Sequence, residues 1–531
     1  MYLLKAKGTH IKKVFLLFFV CVSLFSIAQT KRPNILIIIS DDHAYQAIGA
    51  YGSPYRATPN IDRLASQGTT YANAFVTNSL CGPSRACLLT GKYSNINGFK
   101  DNFSRFDASQ PTFASYLSQA GYQTAWIGKW HLVSLPQHFD YFKILPGQGH
   151  YYNPDFIDMN NKTVRIPGYC TNIITDLTLD WLKARDTSKP FCIVVGEKAT
   201  HRTWIPDTAD FGAFDKVDFP LPASFYDDYK NRYAAQVNDM NIAHSMHLGY
   251  DLKMAADTGF GGDNYKRFTA SQGRYFHHYY DSIYSDFKSR HLAGKALAEW
   301  KYQRYMRDYY ATGLSLDRNI GRIVDYIDKN GLAENTIVIY TSDQGMYLGE
   351  HGFFDKRFMY EESFKTPLVI RYPKLIKSGL HDSTMVMLLD MAPTFMQLAG
   401  LSVPVDMQGK SLLPVFKGDN KKFREEVYYH YYEYPNEHNA LPHFGIRTKK
   451  YTLIRFYDPK NLKKTLNESG TLTKEDPMEY WELYDLEKDP HEMNNVFDTP
   501  DYKTIQADLI KRLEKLIEHY HDNDAGKIVQ L

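Results

Sequence analysis

The stretch Asn34-Ile35-Leu36-Ile37-Ile38-Ile39 constrains this chain more than any other feature. It is almost wholly apolar, mostly β-branched, and stops abruptly at Ser40-Asp41-Asp42-His43. An alternating pattern would leave one strand face to water. An unbroken run predicts a strand buried on both faces, and hence a parallel sheet covered by helices on each side. Three further segments repeat the arrangement. Residues 336–340 stop at Thr341-Ser342-Asp343-Gln344-Gly345, residues 122–127 run into Gly128-Lys129-Trp130-His131, and residues 191–195 run into Gly196-Glu197-Lys198-Ala199-Thr200-His201. Helical periodicity at 61–67, 112–120, 173–183 and 296–329 supplies the crossovers. The alternation predicts an α/β fold with a large, mostly parallel sheet flanked by helices. Ligands of such sheets bind beyond the strand carboxyl ends, so the four charged ends are expected to converge.

The rest of the chain divides around this domain, expected at 31–417. Residues 206–298 are rich in aromatics, histidine and lysine without a buried-type strand, and read as helices and loops inserted over the site. Residues 424–522 predict a small C-terminal α+β subdomain. Its antiparallel strands are expected at 426–431, 444–448 and 451–456, and its closing helix has Ile505, Leu509, Leu513, Leu516 and Ile517 on one face. At the other end, Lys5, Lys7, Lys12 and Lys13 precede an apolar run at 14–25 and the small residues Ser26 and Ala28. That pattern predicts a signal peptide over 1–28 and an exported protein, periplasmic or secreted. The run is short for a membrane span, so none is expected after cleavage.

A net charge of +2 provides no global field for nucleic acid or an anionic membrane, so an anionic ligand must be held by a local site. The 41 tyrosines suit a sugar-binding cleft as well as an ordinary core. Cys81, Cys87, Cys170 and Cys192 are too few for a disulfide scaffold and leave room for a cysteine with its own chemistry. Asp41, Asp42 and Asp343, with Gln344, bring like charges together. A cation resolves their repulsion, and an all-oxygen set favours Ca²⁺ or Mg²⁺; separate caps and salt bridges are the alternative. Arg85, Lys129 and Lys356 add positive charge, and His131 and His201 add proton carriers. Such a set suits a tetrahedral oxyanion and an ester leaving group, but names no nucleophile.

Cys81-Gly82-Pro83-Ser84-Arg85, followed by Leu89-Thr90-Gly91, matches the signature C-x-P-S-R-x-x-x-L-T-G. With Asp41, Asp42, Lys129, His131, His201, Asp343 and Lys356 in order along the chain, it resembles the type I sulfatases. The resemblance implies an alkaline-phosphatase-like fold and oxidation of Cys81 to formylglycine (3-oxoalanine). A formylglycine-generating or anaerobic sulfatase-maturating enzyme would do this, recognising Pro83 and Arg85. It further implies one Ca²⁺ held by Asp41, Asp42, Asp343, Gln344 and the modified Cys81. Gln344 departs from the asparagine more usual in the family. In the implied mechanism the hydrated aldehyde attacks sulfur, forming a sulfated hemiacetal. His201 with Lys356 protonates the leaving oxygen, and His131 takes the proton from the second hydroxyl. Lys129, Lys356 and the metal offset sulfuryl charge, while Arg85 holds the diol.

The text around Gln344–Leu368 and His201 resembles exported bacterial polysaccharide sulfatases, including N-acetylglucosamine-6-O-sulfatases. Sulfatases of marine polysaccharides such as ulvan or carrageenan are similar too. The expected substrate is a carbohydrate O-sulfate in an oligosaccharide or polysaccharide, with N-acetylglucosamine-6-O-sulfate preferred. His43, Arg202, Trp204 and His443 are the candidate sugar contacts. A phosphodiesterase or phosphonate hydrolase, a sulfamidase, and a non-catalytic glycan-binding relative are the rival readings.

Overall fold

Ile35, Ile37 and Ile39 enter one apolar core and Leu36 and Ile38 another, which is why the run has no polar face. They lie on β1 (Asn34–Ser40), buried along its whole length. The computed structural model describes residues 32–254, 263–457 and 480–529. The expected signal at 1–28 lies outside them.

After β1 come β2 (Thr69–Phe75), β3 (Gln123–Lys129), β4 (Tyr141–Leu145), β5 (Asp155–Asp158), β6 (Thr163–Arg165), β7 (Phe191–Gly196) and β8 (Thr336–Ser342). A short hairpin, β9 (Tyr347–Leu348) and β10 (Phe354–Asp355), precedes β11 (Leu368–Arg371) and β12 (Leu380–Met387). Ten of these strands form one sheet in the order β12-β2-β11-β8-β1-β7-β3-β4-β5-β6. The four segments that end in charge are the consecutive strands β8-β1-β7-β3, all mutually parallel. Antiparallel pairing is confined to β11 and to the β4-β5-β6 edge. Those outer strands are short or partly exposed, so they lack the continuous apolar run that marks the centre.

Helices Pro59–Ser66, Phe113–Gln119, Cys170–Ala184 and Gly294–Lys329 fall where periodicity places them. The last also braces the site. Its Tyr309 hydroxyl donates to the Asp42 carbonyl at 2.7 Å and accepts from the Ala44 N–H at 2.8 Å.

A second, antiparallel sheet runs β13 (Glu426–Tyr431), β14 (His443–Thr448), β15 (Tyr451–Phe456) and β16 (Tyr480–Asp485). Helix Lys503–His519 packs on it through Leu509, Leu513 and Ile517, with Ile505 and Leu516 half-buried beside them. Sequence patterning misses β16 because Glu482 occupies a buried position. There it accepts hydrogen bonds from Tyr360 and Tyr484, both at 2.7 Å, and burial pushes its carboxyl up to about 7. The described part of 206–298 holds helices Tyr233–Val237, Asp263–Lys266 and Ala270–Arg290, the start of Gly294–Lys329, and no strand. Among the described residues, no helix is long and apolar enough to cross a membrane.

Candidate active site

Four strand ends and one helix start build the site. Helix Cys81–Thr90 begins at Cys81 itself, so the first-turn amides and the positive end of the helix dipole lie at the thiol. All ten of its residues are buried. Gly82 has no room for a side chain: a Cβ there would lie 2.7 Å from the Phe99 ring and 3.0 Å from the His131 carbonyl. At the end of β3, Gly128 has φ +97° and a Cβ would fall 2.0 Å from the Gly196 carbonyl. This close approach brings the Lys129 and Glu197 segments together.

Ligand atoms of Asp41, Asp42, Cys81 and His201 lie within 4.8 Å of one another. The expected convergence is therefore met, but one premise needs correction, because each carboxylate has a basic partner. Lys129 pairs with Asp41, Lys356 with Asp42 at 2.6 Å and Arg85 with Asp343 at 2.9 Å. The Arg85 guanidinium also donates to the Lys129 carbonyl at 2.8 Å. His201 Nδ1 is 2.6 Å from the Arg202 carbonyl, and its Nε2 is 3.8 Å from Asp42. Gln344 Nε2 donates to Asp42 and contacts Cys81 Sγ at 3.5 Å.

Burial would raise the Asp41 pKa, but Lys129 foremost outweighs it and keeps this carboxyl well below the usual range. Burial, reinforced by Asp41 and Asp355, pushes Asp42 up despite Lys356. Asp343 is likewise raised by burial in spite of Arg85. Burial, then the neighbouring cations, hold His131 and His201 well below the usual imidazole range. For Lys356 burial opposes the charge, yet Asp355 and Asp42 prevail and raise its pKa.

A hard cation fits this set. Asp41 Oδ1 and Gln344 Oε1 are buried acceptors without a hydrogen-bond partner, and the remaining acid donors are oxygens. Gln344 reaches Asp42 and Cys81 through its amide nitrogen, which leaves Oε1 as the unpartnered acceptor.

A cavity of about 540 Å³ opens at Leu80 and His201, which adjoin the buried Cys81. His201, Arg202, Lys356 and Gln148 line it, with Asp355, Arg357, Glu437 and His438 along another wall. Asp239, His247 and Tyr250 come from the 206–298 segment.

Of the four expected sugar contacts, only Arg202 faces this space, held by Asp251 at 2.6 Å. Three are corrected. His43 is buried, hydrogen-bonded to the Tyr340 hydroxyl and pushed down to about 3 by burial. Trp204 is buried against Tyr305 and Phe354. His443 lies in the core, stacked on Tyr429 and Tyr431, with Nε2 accepting from the Met359 N–H at 3.1 Å. A polar residue beside a motif reads as a contact in sequence, whereas the pleat of β14 turns His443 inward.

Sequence reasoning missed Gln148, whose side-chain carbonyl accepts from Lys129 at 2.5 Å. It also missed Lys198, although that residue stands in a quoted strand end. Asp355 adjoins the expected Lys356 and accepts from His438 at 2.7 Å. Arg357 pairs with Glu433 at 3.0 Å and with Glu437 at 3.2 Å. No local signal links residues 355–357 to 433–438; only the second sheet brings them together.

The parallel sheet, the helix-borne Cys81 and the surrounding acids, lysines and histidines define a hydrolase of the sulfatase class. The Sulfatase family model matches residues 33–401, and the chain belongs to that family. It is a sulfuric ester hydrolase. A second model, described as N-sulphoglucosamine sulphohydrolase, C-terminal, matches residues 349–519. An N-acetylglucosamine-6-O-sulfatase of Bacteroides thetaiotaomicron is 46% identical over 93% of this chain and 88% of its own. A solved structure in complex with its substrate D-glucosamine-2-N,6-O-disulfate is also 46% identical. It has a TM-score of 0.87, covering 93% of this chain and 99% of that one. An ulvan-active sulfatase of Formosa agariphila is 25% identical over 93% of this chain and 83% of its own.

Proposed function

We propose that this protein hydrolyses the 6-O-sulfate ester of N-acetylglucosamine or glucosamine in sulfated glycans. The observation that carries the reading is the charged cavity lined by His201, Arg202 and Lys356, on a chain 46% identical to an N-acetylglucosamine-6-O-sulfatase. A maturation enzyme would convert Cys81 to formylglycine, which supplies a hydrated aldehyde as nucleophile. Asp41, Asp42, Asp343 and Gln344 would hold Ca²⁺, which supplies Lewis acidity beside that group. The signal expected at 1–28 fits export to the periplasm or beyond.

The chain's own residues divide the work. Lys129 and Lys356 set two ammonium groups against the sulfuryl oxygens and offset their charge in a dry pocket. Arg85, one helical turn after Cys81, fixes the Asp343 carboxylate and the Lys129 carbonyl around the nucleophile. His201 donates its Nδ1–H to the Arg202 carbonyl, so in the neutral ring Nε2 is an acceptor. The anionic substrate raises its pKa; the imidazolium so formed, with Lys356 beside it, gives a proton to the departing sugar oxygen. His131, half-buried and neutral with a buried, unpartnered Nδ1, is the base on the nucleophile side.

The test is a panel of defined saccharides with sulfate release measured directly. Glucosamine 6-O-sulfate and its N-acetyl form are expected to be cleaved, with N-sulfate left in place on the 2-N,6-O-disulfate. Cleavage of N-sulfate, of ulvan or carrageenan fragments, or of phosphate esters in preference would overturn the assignment.

A further inference from the structure

We propose that Lys198 is a positioning residue, holding the loop 146–151 so that Lys129 and His201 are placed together. The inference rests on the sulfatase reading of the site, not on the sugar. Lys198 is 2% exposed. Its ammonium donates to the Gln148 main-chain carbonyl at 3.1 Å and lies 4.8 Å from the centre of the Tyr151 ring. Of the two residues it grips, one touches the Lys129 ammonium and the other holds the His201 backbone. Gln148 accepts from Lys129 through its side-chain carbonyl at 2.5 Å, and the Tyr151 hydroxyl donates to the His201 carbonyl at 2.5 Å. One cation thus ties together the ends of β3 and β7, which carry groups for opposite sides of the reaction.

The loop needs such a tether. Gly147 and Gly149 flank Gln148 with φ +53° and +67°, and a Cβ on Gly147 would meet nothing within 4 Å. A backbone of this kind has many alternatives. Lys129 and Lys198 also repel each other, and Gln148 separates them by offering a different carbonyl to each. Asp41, Asp42, Cys170 and His201 are further ionisable groups facing Lys198. The Gln148 carbonyl and the Tyr151 ring set the position of its ammonium.

The experiment compares wild type, Lys198→Met, Lys198→Arg and Tyr151→Phe, with conversion of Cys81 quantified by mass spectrometry in each. Kinetics are measured on an aryl sulfate, which engages only the sulfate end of the site, and on N-acetylglucosamine-6-sulfate. Lys198→Met should lower kcat on the aryl sulfate by about tenfold or more, with KM within about twofold, because misplacement acts in the transition state. Lys198→Arg should recover most of that loss, and Tyr151→Phe should show part of it. Unchanged kcat in Lys198→Met overturns the proposal. So does an equal loss in the Arg and Met variants accompanied by a fall in melting temperature, the mark of a purely structural role. If Lys198→Met does not fold, Tyr151→Phe with wild-type kcat overturns it. A wild type active on the aryl sulfate alone refutes the sugar and leaves this proposal standing; inactivity on both with Cys81 converted refutes the sulfatase reading and this proposal together.

Discussion

Burial, with the nearby Asp41 carboxylate, holds the Cys81 thiol well above its usual range. At neutral pH it keeps its proton and is a poor nucleophile. A thiol held in this state suits the conversion to formylglycine proposed for Cys81. Cys81→Ala is expected to abolish turnover, and the wild-type peptide should carry an aldehyde by mass spectrometry; unmodified thiol in fully active enzyme would refute this. His201→Ala should lower kcat about 10²- to 10⁴-fold on a sugar sulfate and far less on an aryl sulfate, whose phenolate needs no proton to leave. Equal losses on the two substrates would remove its role as acid. His443 belongs to a different kind of prediction. Its ring fills a buried space between aromatic side chains, so His443→Ala should cost about 3 kcal/mol in denaturant unfolding and leave KM on the sugar alone. At this scale the motif residues were legible because their chemistry is local, whereas inward or outward orientation at His43, Trp204 and His443 was not.

The segment from Pro206 onward is tied to the β9–β10 hairpin by a buried network. Arg232 pairs with Asp227, which accepts from His351 Nδ1 at 2.8 Å. Burial would raise Asp227, but His351 and Arg232 outweigh it and bring its pKa down to about 2. A carboxyl depressed on folding stabilises the protein above its unfolded pKa, and that contribution fades as pH falls toward the folded value. The shift is worth about 2 kcal/mol at neutral pH. Asp227→Asn should therefore lower stability at pH 7, and the gap to wild type should narrow between about pH 4 and pH 2. A pH-independent gap in chemical denaturation would refute the network. Strands β8, β1, β7 and β3 were legible as elements because both faces are buried and the apolar run is continuous. Strand β16 was not, because Glu482 interrupts its alternation and is satisfied by tyrosines from elsewhere.

Across the molecule, the acids at the ends of β1 and β8 belong to strands about 300 residues apart, held in register by the pairing from Asn34 opposite Thr336 to Ser40 opposite Ser342. The unpartnered Asp41 Oδ1 and Gln344 Oε1 predict that Ca²⁺ stabilises the assembled sheet, by about 2.7 kcal/mol at a hundredfold excess over its dissociation constant. Chelation should lower the melting temperature and abolish activity, with both restored by Ca²⁺. Asp41→Asn should erase the Ca²⁺-dependent rise; a rise that survives in this variant would place the ion elsewhere. By itself the sequence determined the central strands, the crossovers, the sulfatase signature at Cys81 and the residues gathered at the strand ends. These depend on side-chain type and short-range period, which the chain carries locally. Only the tertiary structure decided which lysine pairs with which aspartate, which histidines are core, and how residues 355–357 and 433–438 share a wall of the cavity. Those outcomes depend on sheet register and on packing between segments far apart in the chain, and no local pattern encodes either.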